Sequence, residues 1–371
     1  MNFGFTEEQD ELRKVVRRFL EDKSPESEVR RLMATAEGYD PVVWRQMATE
    51  LGLQGLGLPE EYGGQGFGPV ELYVVFEEMG AALLCAPYFA TVALAANALT
   101  CVGGPDDLAA HLPGIASGET IATLALTDDT GDWDLAATST SAERDGAGWV
   151  VSGVRSFVID GATASLILVP ARTDAGLSLF AVAGEASGLT REALPTMDQT
   201  RKQARLTLER APATLIGVDG GAREGLETAV QIACAALAAE QVGGAQRVLD
   251  NSVEYAKSRV QFGRPIGSFQ AIKHKCADML LQVESAKSAA YYATWAAQER
   301  NDDLAIAASL AKSYCSEAYF FCAAENIQIH GGIGFTWEHH AHLYFKRAKS
   351  SELLLGDPAY HRELIARRLG I

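Results

Sequence analysis

Two short stretches of the chain gather residues that bind things. HGGIGFTWEHHAH, His330 to His342, holds four of the seven histidines and opens on a glycine pair. SRVQFGRPIGSFQAIKH, Ser258 to His274, sets Arg259 and Arg264 around a glycine–proline turn and ends its loop on Phe269-Gln270. Three chemistries compete for the first stretch: a metal site, a phosphate cradle, or a loop over an organic cofactor. A metal reading needs ligands that converge. His339, His340 and His342 diverge on a helix, although His339 and His342, three apart, could meet. H-E-x-x-H is absent and no Cys or Asp stands at ligand spacing, so a polar helix start is the better expectation and no metal is assigned. A Walker loop needs Lys-Ser or Lys-Thr after its glycines, and a dinucleotide fingerprint needs G-x-G-x-x-G after a strand. Neither pattern occurs.

A loop closing over a flat or extended cofactor remains. Gly331, Gly332 and Gly334 permit φ > 0 and let a ligand approach the backbone. Gln328 both donates and accepts. On that reading an arginine of the second stretch would pair with a pyrophosphate and Phe262 would pack on a ring. The competing reading is an inter-helix turn with surface arginines. One carboxylate also stands out: Glu240, in AALAAEQVGG, a nearly uncharged run. Burial there would raise its pKa and suit a base, while an arginine or backbone partner would make it structural.

The elements that must position these residues follow from periodicity. Thr6 with Gln9 forms a capping-box pattern, and Leu12, Val15, Val16, Phe19 and Leu20 make one helical stripe. DPVVWRQMATELGL and VELYVVFEEMGAALLCAPYFATVALAANAL also read as helix, separated by the turn-rich GLGLPEEYGGQGFGP. From Thr120 the texture changes to short β-branched runs: ETIATLALT, GWVVSGVRSFVI, SLILVPART, LSLFAVAG and RLTLER. Their spacing suggests a small barrel or sandwich. From Gly220 long alanine-rich helices return, with breaks at the two stretches above, as in a bundle.

Composition sets the bounds. The 371 residues are 48% hydrophobic and 22% charged, enough for a sizeable core and about two or three domains. A net charge of −16 disfavours nucleic acid and anionic membrane surfaces. The six cysteines form no C-x-x-C pair and read as buried thiols of a reducing compartment. The acidic N-terminus is not a signal peptide and no apolar run spans a bilayer, so the expectation is a cytoplasmic protein without membrane insertion.

Taken together, RVQFGRPIGSFQAIKHKCADM and IQIHGGIGFTWEHHAHLYFKRAK closely resemble the C-terminal domain of flavin-dependent acyl-CoA dehydrogenases. GLGLPEEYGGQG resembles that family's N-terminal signature. LALTDDTGDWDL, GVRSFVIDGATASLILVPART and ARLTLERAPATLIG resemble its middle domain. The resemblance covers almost the whole chain in the right order. It implies an N-terminal α-helical domain (1–118), a middle antiparallel β-barrel (119–218) and a C-terminal four-helix bundle (219–371). It implies FAD held between subunits of a tetramer, an acyl-CoA substrate, and an electron-transfer flavoprotein as acceptor. The reaction implied is α,β-dehydrogenation of the thioester to the 2-enoyl-CoA, as in β-oxidation of lipids.

Carried over position by position, the resemblance puts Arg259, Phe262 and Gln270 against the FAD of a neighbouring subunit. It puts Gln328, Gly331 and Gly332 against the adenosine and pyrophosphate, and Thr127 near the flavin ring. Phe157 stands where many members place Trp, and Ile159 where many place Thr, which removes one hydrogen-bond donor. The base is where the sequence departs. The usual catalytic Glu corresponds to Leu355, and the alternative of a minority of members to Ala233. Two carboxylates remain as substitutes. Glu240 is seven residues past Ala233, ~10 Å along the same helix face. Asp357 lies beside Gly356, where capping the final helix is the competing role. Two functions stay open: an active dehydrogenase using Glu240 or Asp357, and a base-less subunit that completes an FAD site or scaffold for a catalytic paralogue. LLLGDPAYHRELIARR resembles the tail of the inactive type that family members from steroid-degrading bacteria pair with an active one. Homotetramer and mixed tetramer are both compatible with the sequence.

Overall fold

A computed structural model describes residues 4–371. The first half of the chain carries α1 (Glu7–Lys23), α2 (Glu26–Met33), α3 (Pro41–Thr49), α4 (Pro69–Ala81), a π-helical stretch (Phe89–Ala96), α5 (Asn97–Val102) and α6 (Pro105–Ala116). Strands β1 (Ala122–Leu124), β2 (Ser141–Asp145), β3 (Gly148–Ile159), β4 (Leu166–Thr173), β5 (Gly176–Ala183), β6 (Leu189–Ala193) and β7 (Gln203–Ile216) follow. Then come α7 (Arg223–Ser258), the hairpin β8 (Val260–Gln261) and β9 (Arg264–Pro265), α8 (Gln270–Glu299), α9 (Leu304–His330), α10 (Ala341–Leu353) and α11 (Pro358–Leu369). Two compact units form. One contains residues up to Val29, Pro69–Leu84 and Cys234–Ile371; the other contains Arg30–Gly68 and Cys85–Ala233.

In the first unit α1 starts on the expected box: Thr6 Oγ1 accepts from Gln9 N at 3.2 Å and Gln9 Oε1 from Thr6 N at 3.0 Å. The helical run expected from Val70 to Leu99 is broken. Leu83 sits at φ +48 and ends α4 before Pro87 restarts a helix. Glycines let α4 and α7 touch backbone to backbone: a Cβ on Gly80 would overlap the Glu240 carbonyl, and one on Gly243 the Glu77 carbonyl.

Side-chain register fixes the bundle's directions. Gln241 bonds Ser316 and Ser252 bonds Asn326, partners 75 and 74 positions on, so α7 and α9 run parallel. Lys275 pairs with Glu325, the Cys322 thiol reaches Met279 O and the Cys315 thiol reaches Ala286 O, so α8 and α9 run antiparallel. Lys312 meets Glu352 O and Phe320 packs on Phe345, so α10 is also antiparallel to α9. The C-termini of α7 and α9 and the N-terminus of α8 therefore share one end of the bundle.

In the second unit β4, β5, β7, β3 and β2 close a ring through successive pairings. Most ladders are antiparallel. The exceptions are β1 and β2, which both meet β4 in parallel. Two strands the alternation did not announce, β2 and β6, are mostly exposed.

Candidate functional site

At the shared bundle end, α7 stops at Ser258 and the chain turns through the β8–β9 hairpin. Its two loop residues, Phe262 (φ +54) and Gly263 (φ +77), both lie in the left-handed region, as a type I′ turn requires. Glycine takes that conformation freely. Phenylalanine pays of order 1 kcal/mol for it, and at 92% exposure recovers almost nothing by burial. The turn thus holds an aromatic ring out for a partner. The ring meets Phe269 edge-on at 6.1 Å, and Arg264 lies 4.1 Å over Phe269. The Arg259 backbone is tied by Arg259 N to Tyr255 O and by Ile266 N to Arg259 O, both 2.8 Å, while its side chain is exposed. Gln270 opens α8, also exposed, where helix N–H groups favour an anion.

The end of α9 supplies the second turn. Gly331 (φ +65) caps the helix, its N–H reaching Ile327 O and Gln328 O. A Cβ on Gly331 or Gly332 would meet nothing within 4 Å, so the backbone there is open to a ligand; Gly334 is packed against Ile327 and His330. Gln328 is exposed beside them. The parallel α7–α9 register brings Arg259, Phe262 and Gln270 to the same end as Gln328, Gly331 and Gly332.

The histidines build a stack that braces this turn. Tyr255 stacks on His330 at 4.2 Å, His330 meets His339 at 4.4 Å, and His339 stacks on His340 at 4.5 Å. His339 Nδ1 accepts from Ala341 N at 3.1 Å and so caps α10, which requires a neutral ring. His340 bonds Asn251 at 2.9 Å and Glu26 at 3.1 Å. Burial, then the neighbouring His340 and His330, push His339 down to about 4. His342 meets Trp337 edge-on at 4.7 Å. Among the described residues no group of three or more His, Cys, Asp and Glu could hold a metal ion.

The β unit carries the other candidates. Between Arg155 and Val158 the β3–β7 register slips, so Ser156 and Phe157 oppose one residue. Phe157 sits at φ +58 and remains 43% exposed. Thr127 locks onto the bulge: Ser156 N donates to Thr127 O at 2.9 Å and Thr127 Oγ1 to Ser156 O at 2.8 Å. Ile159, by contrast, is buried. Arg155, which the sequence reading passed over, is buried inside the strand, and desolvation lowers its pKa to about 10. Its only sequence signal is a charge inside an alternating run.

The two positions at which the sequence resemblance expects a base hold hydrocarbon side chains. Leu355 is 1% exposed at φ +60, and Ala233 is fully buried. The Leu355 turn is clamped: His361 Nε2 bonds Leu355 O at 2.9 Å, while buried Lys312 donates to Gly356 O at 2.9 Å and Glu352 O at 3.0 Å. Glu240 is buried and accepts from Arg347 Nη1 at 3.0 Å, a pair in which the side chains are 7% and 4% exposed. Asp357 accepts from Tyr360 N at 2.7 Å and caps α11. Each of the two carboxylates thus has a partner of the kind that a structural role would give it.

Three family profiles match in order: acyl-CoA dehydrogenase N-terminal domain over residues 6–119, middle domain over 123–211 and C-terminal domain over 219–370. The chain belongs to the acyl-CoA dehydrogenase family. It is 36% identical over 364 residues to the acyl-CoA dehydrogenase IpdE2 of Mycobacterium tuberculosis, covering 97% of this chain and 96% of the relative. Among solved structures, a variant of the Tcur3481-Tcur3483 steroid ACAD is similar with TM-score 0.90 and 32% identity, covering 98% of each chain. The ChsE4-ChsE5 complex from Mycobacterium tuberculosis is similar with TM-score 0.91 and 31% identity, covering 100% of this chain and 99% of that one.

Acyl-CoA dehydrogenases are FAD-dependent oxidoreductases acting on acyl-CoA, and the cofactor of this family member is FAD. The residues present fit that group. An open glycine backbone and an exposed Arg259 suit its pyrophosphate, and the exposed Phe262 and Phe157 suit its rings. No described helix is long and apolar enough to cross a membrane.

Proposed function

We propose that this chain is the base-less subunit of a mixed acyl-CoA dehydrogenase tetramer. Its bundle end contributes Arg259, Phe262, Gln270, Gln328, Gly331 and Gly332 to FAD binding, and its β unit, taken by itself, contributes Thr127 and Phe157. A paralogous chain supplies the carboxylate that takes the α-proton. The assembly oxidises an acyl-CoA to the 2-enoyl-CoA in the cytoplasm and passes electrons to an electron-transfer flavoprotein.

One observation carries this reading: the position expected to hold the base is Leu355, buried and clamped at its carbonyl. A hydrocarbon side chain cannot accept a proton. Glu240 and Asp357 offer no relief, because one is tied to a buried guanidinium and the other to a helix N–H. The paired names of two solved relatives, one of them a complex of ChsE4 with ChsE5, point the same way. Bound FAD would supply the hydride acceptor for the β-hydrogen, and this chain's residues would hold and orient it.

The test is anaerobic titration with acyl-CoA thioesters of several sizes. The chain purified alone with FAD is expected to keep its visible flavin band. Co-purified with a paralogue carrying the carboxylate, it is expected to bleach. Bleaching of the lone chain that disappears in Glu240→Gln would overturn the proposal and reinstate Glu240 as base.

A further inference from the structure

We infer that Arg155 is a positioning residue for the cofactor: it holds the two flavin-facing segments of the β unit in register and so aims Phe157 and Thr127. The inference rests on the assignment of those two residues to the flavin, and it adds the group that sets their geometry.

Arg155 is among the largest fully buried side chains of the protein, 1% exposed. Its Nη1 donates to Leu126 O at 3.1 Å, and its Nη2 donates to Thr138 Oγ1 at 3.0 Å and to Pro170 O. One guanidinium therefore ties the residue before Thr127, the loop leading to β2, and the middle of β4. Leu126 and Thr138 lie near the two ends of the β1–β2 connection, and Pro170 lies on β4. Asp128, next to Thr127, adds a favourable charge.

The geometry couples this clamp to the exposed groups. Arg155 is the last paired residue before the bulge. Fixing it inward forces the two bulge residues to take up the slip, and Phe157 does so at φ +58 with its ring outward. The bulge itself is pinned by the reciprocal Thr127–Ser156 bonds and by Ser156 Oγ on Asp129, which also pairs with Arg205 at 2.6 Å. Arg205 lies on β7 between the two residues that flank the slip, Ala204 and Leu206. The planar fork matters: three acceptors on three segments suit five fixed N–H donors and not a single ammonium. A purely structural arginine would brace the barrel anywhere. This one braces the two β-unit residues proposed to meet the flavin, Thr127 and Phe157.

The test compares Arg155→Met and Arg155→Lys with Arg191→Met in the purified FAD-loaded oligomer. Arg191 is a suitable control because it too clamps two carbonyls of the same unit, Ala162 O and Ala164 O, both at 3.0 Å. Both methionine variants are expected to lower the melting temperature. Only Arg155→Met is expected to weaken FAD binding, by about tenfold, and to shift the flavin's visible band. Arg155→Lys keeps the charge but not the fork and is expected to fall between, about threefold. If Arg155→Met does not fold, the lysine variant carries the same comparison. An Arg155 series that loses stability yet leaves FAD affinity and spectrum at the parent values overturns the inference. Phe157→Ala and Thr127→Val are read alongside. Should neither alter the flavin, the cofactor assignment itself has failed; should they respond while Arg155 does not, only the positioning role falls.

Discussion

The buried Glu240–Arg347 pair offers a sharp separation between structure and catalysis. Its N–O distance is 3.0 Å and its side chains are 7% and 4% exposed. Arg347→Met would strand a carboxylate in a site built for an ion pair. Breaking one partner of such a pair costs about 3–5 kcal/mol, because the remaining charge keeps its desolvation penalty. Glu240→Leu combined with Arg347→Met removes both penalties, and apolar replacement of a buried pair is neutral or stabilising by about 1–4 kcal/mol. The double variant is therefore expected to be more stable than Arg347→Met alone. Urea unfolding followed by circular dichroism, as a double-mutant cycle, reads the coupling directly. In parallel, Glu240→Gln in the mixed oligomer is expected to leave thioester-dependent flavin reduction near the parent rate. The reasoning is refuted if Arg347→Met stays within about 0.5 kcal/mol of the parent. It is equally refuted if Glu240→Gln abolishes flavin reduction while stability holds, since the carboxylate would then be reacting and not bracing.

Phe262→Asn should relax the type I′ turn, raising thermal stability slightly while increasing the FAD off-rate; an unchanged off-rate would remove Phe262 from the site. Gly80→Ala and Gly243→Ala each drive a Cβ into a facing carbonyl, and each should cost about 1–3 kcal/mol or more in a urea titration. Acid should loosen the bundle end. His339 is held near 4 against its ordinary 6.5 by burial and by His340 and His330, with His342 adding to them and Glu26 opposing. The unfolded chain therefore takes up the proton first, so this group's contribution is intact above about 6.5 and fades as pH falls towards 4. Buried His361, also pushed to about 4, works in the same window. His339→Gln should flatten part of the loss between pH 7 and pH 5, and an unchanged pH profile would deny His339 that role.

Much of the scaffold was legible because local signals agree with the fold. Thr6 and Gln9 cap α1 as their spacing requires, and Gly331 ends α9 where a left-handed residue is needed. Strands β3, β4, β5 and β7 showed themselves through β-branched alternation. Strands β2 and β6 did not, because their side chains face water and they form only by pairing with β3 and β7. The break after α4 also lacked a signal, since Leu83 takes a conformation leucine ordinarily avoids.

By itself, the sequence determined the two glycine-bearing helix breaks with their arginine, glutamine and bare backbone, and it put Leu355 and Ala233 where the family resemblance expects a base. Residue identity settles such matters, since no fold turns leucine into a proton acceptor. Which atoms Glu240, Asp357, Arg155 and the histidines touch was decided only by tertiary structure. Residue type and spacing do not say which atom lies about 3 Å away. Residues 240 and 347, or 155 and 170, are brought together by helix register and strand closure, which no local pattern encodes.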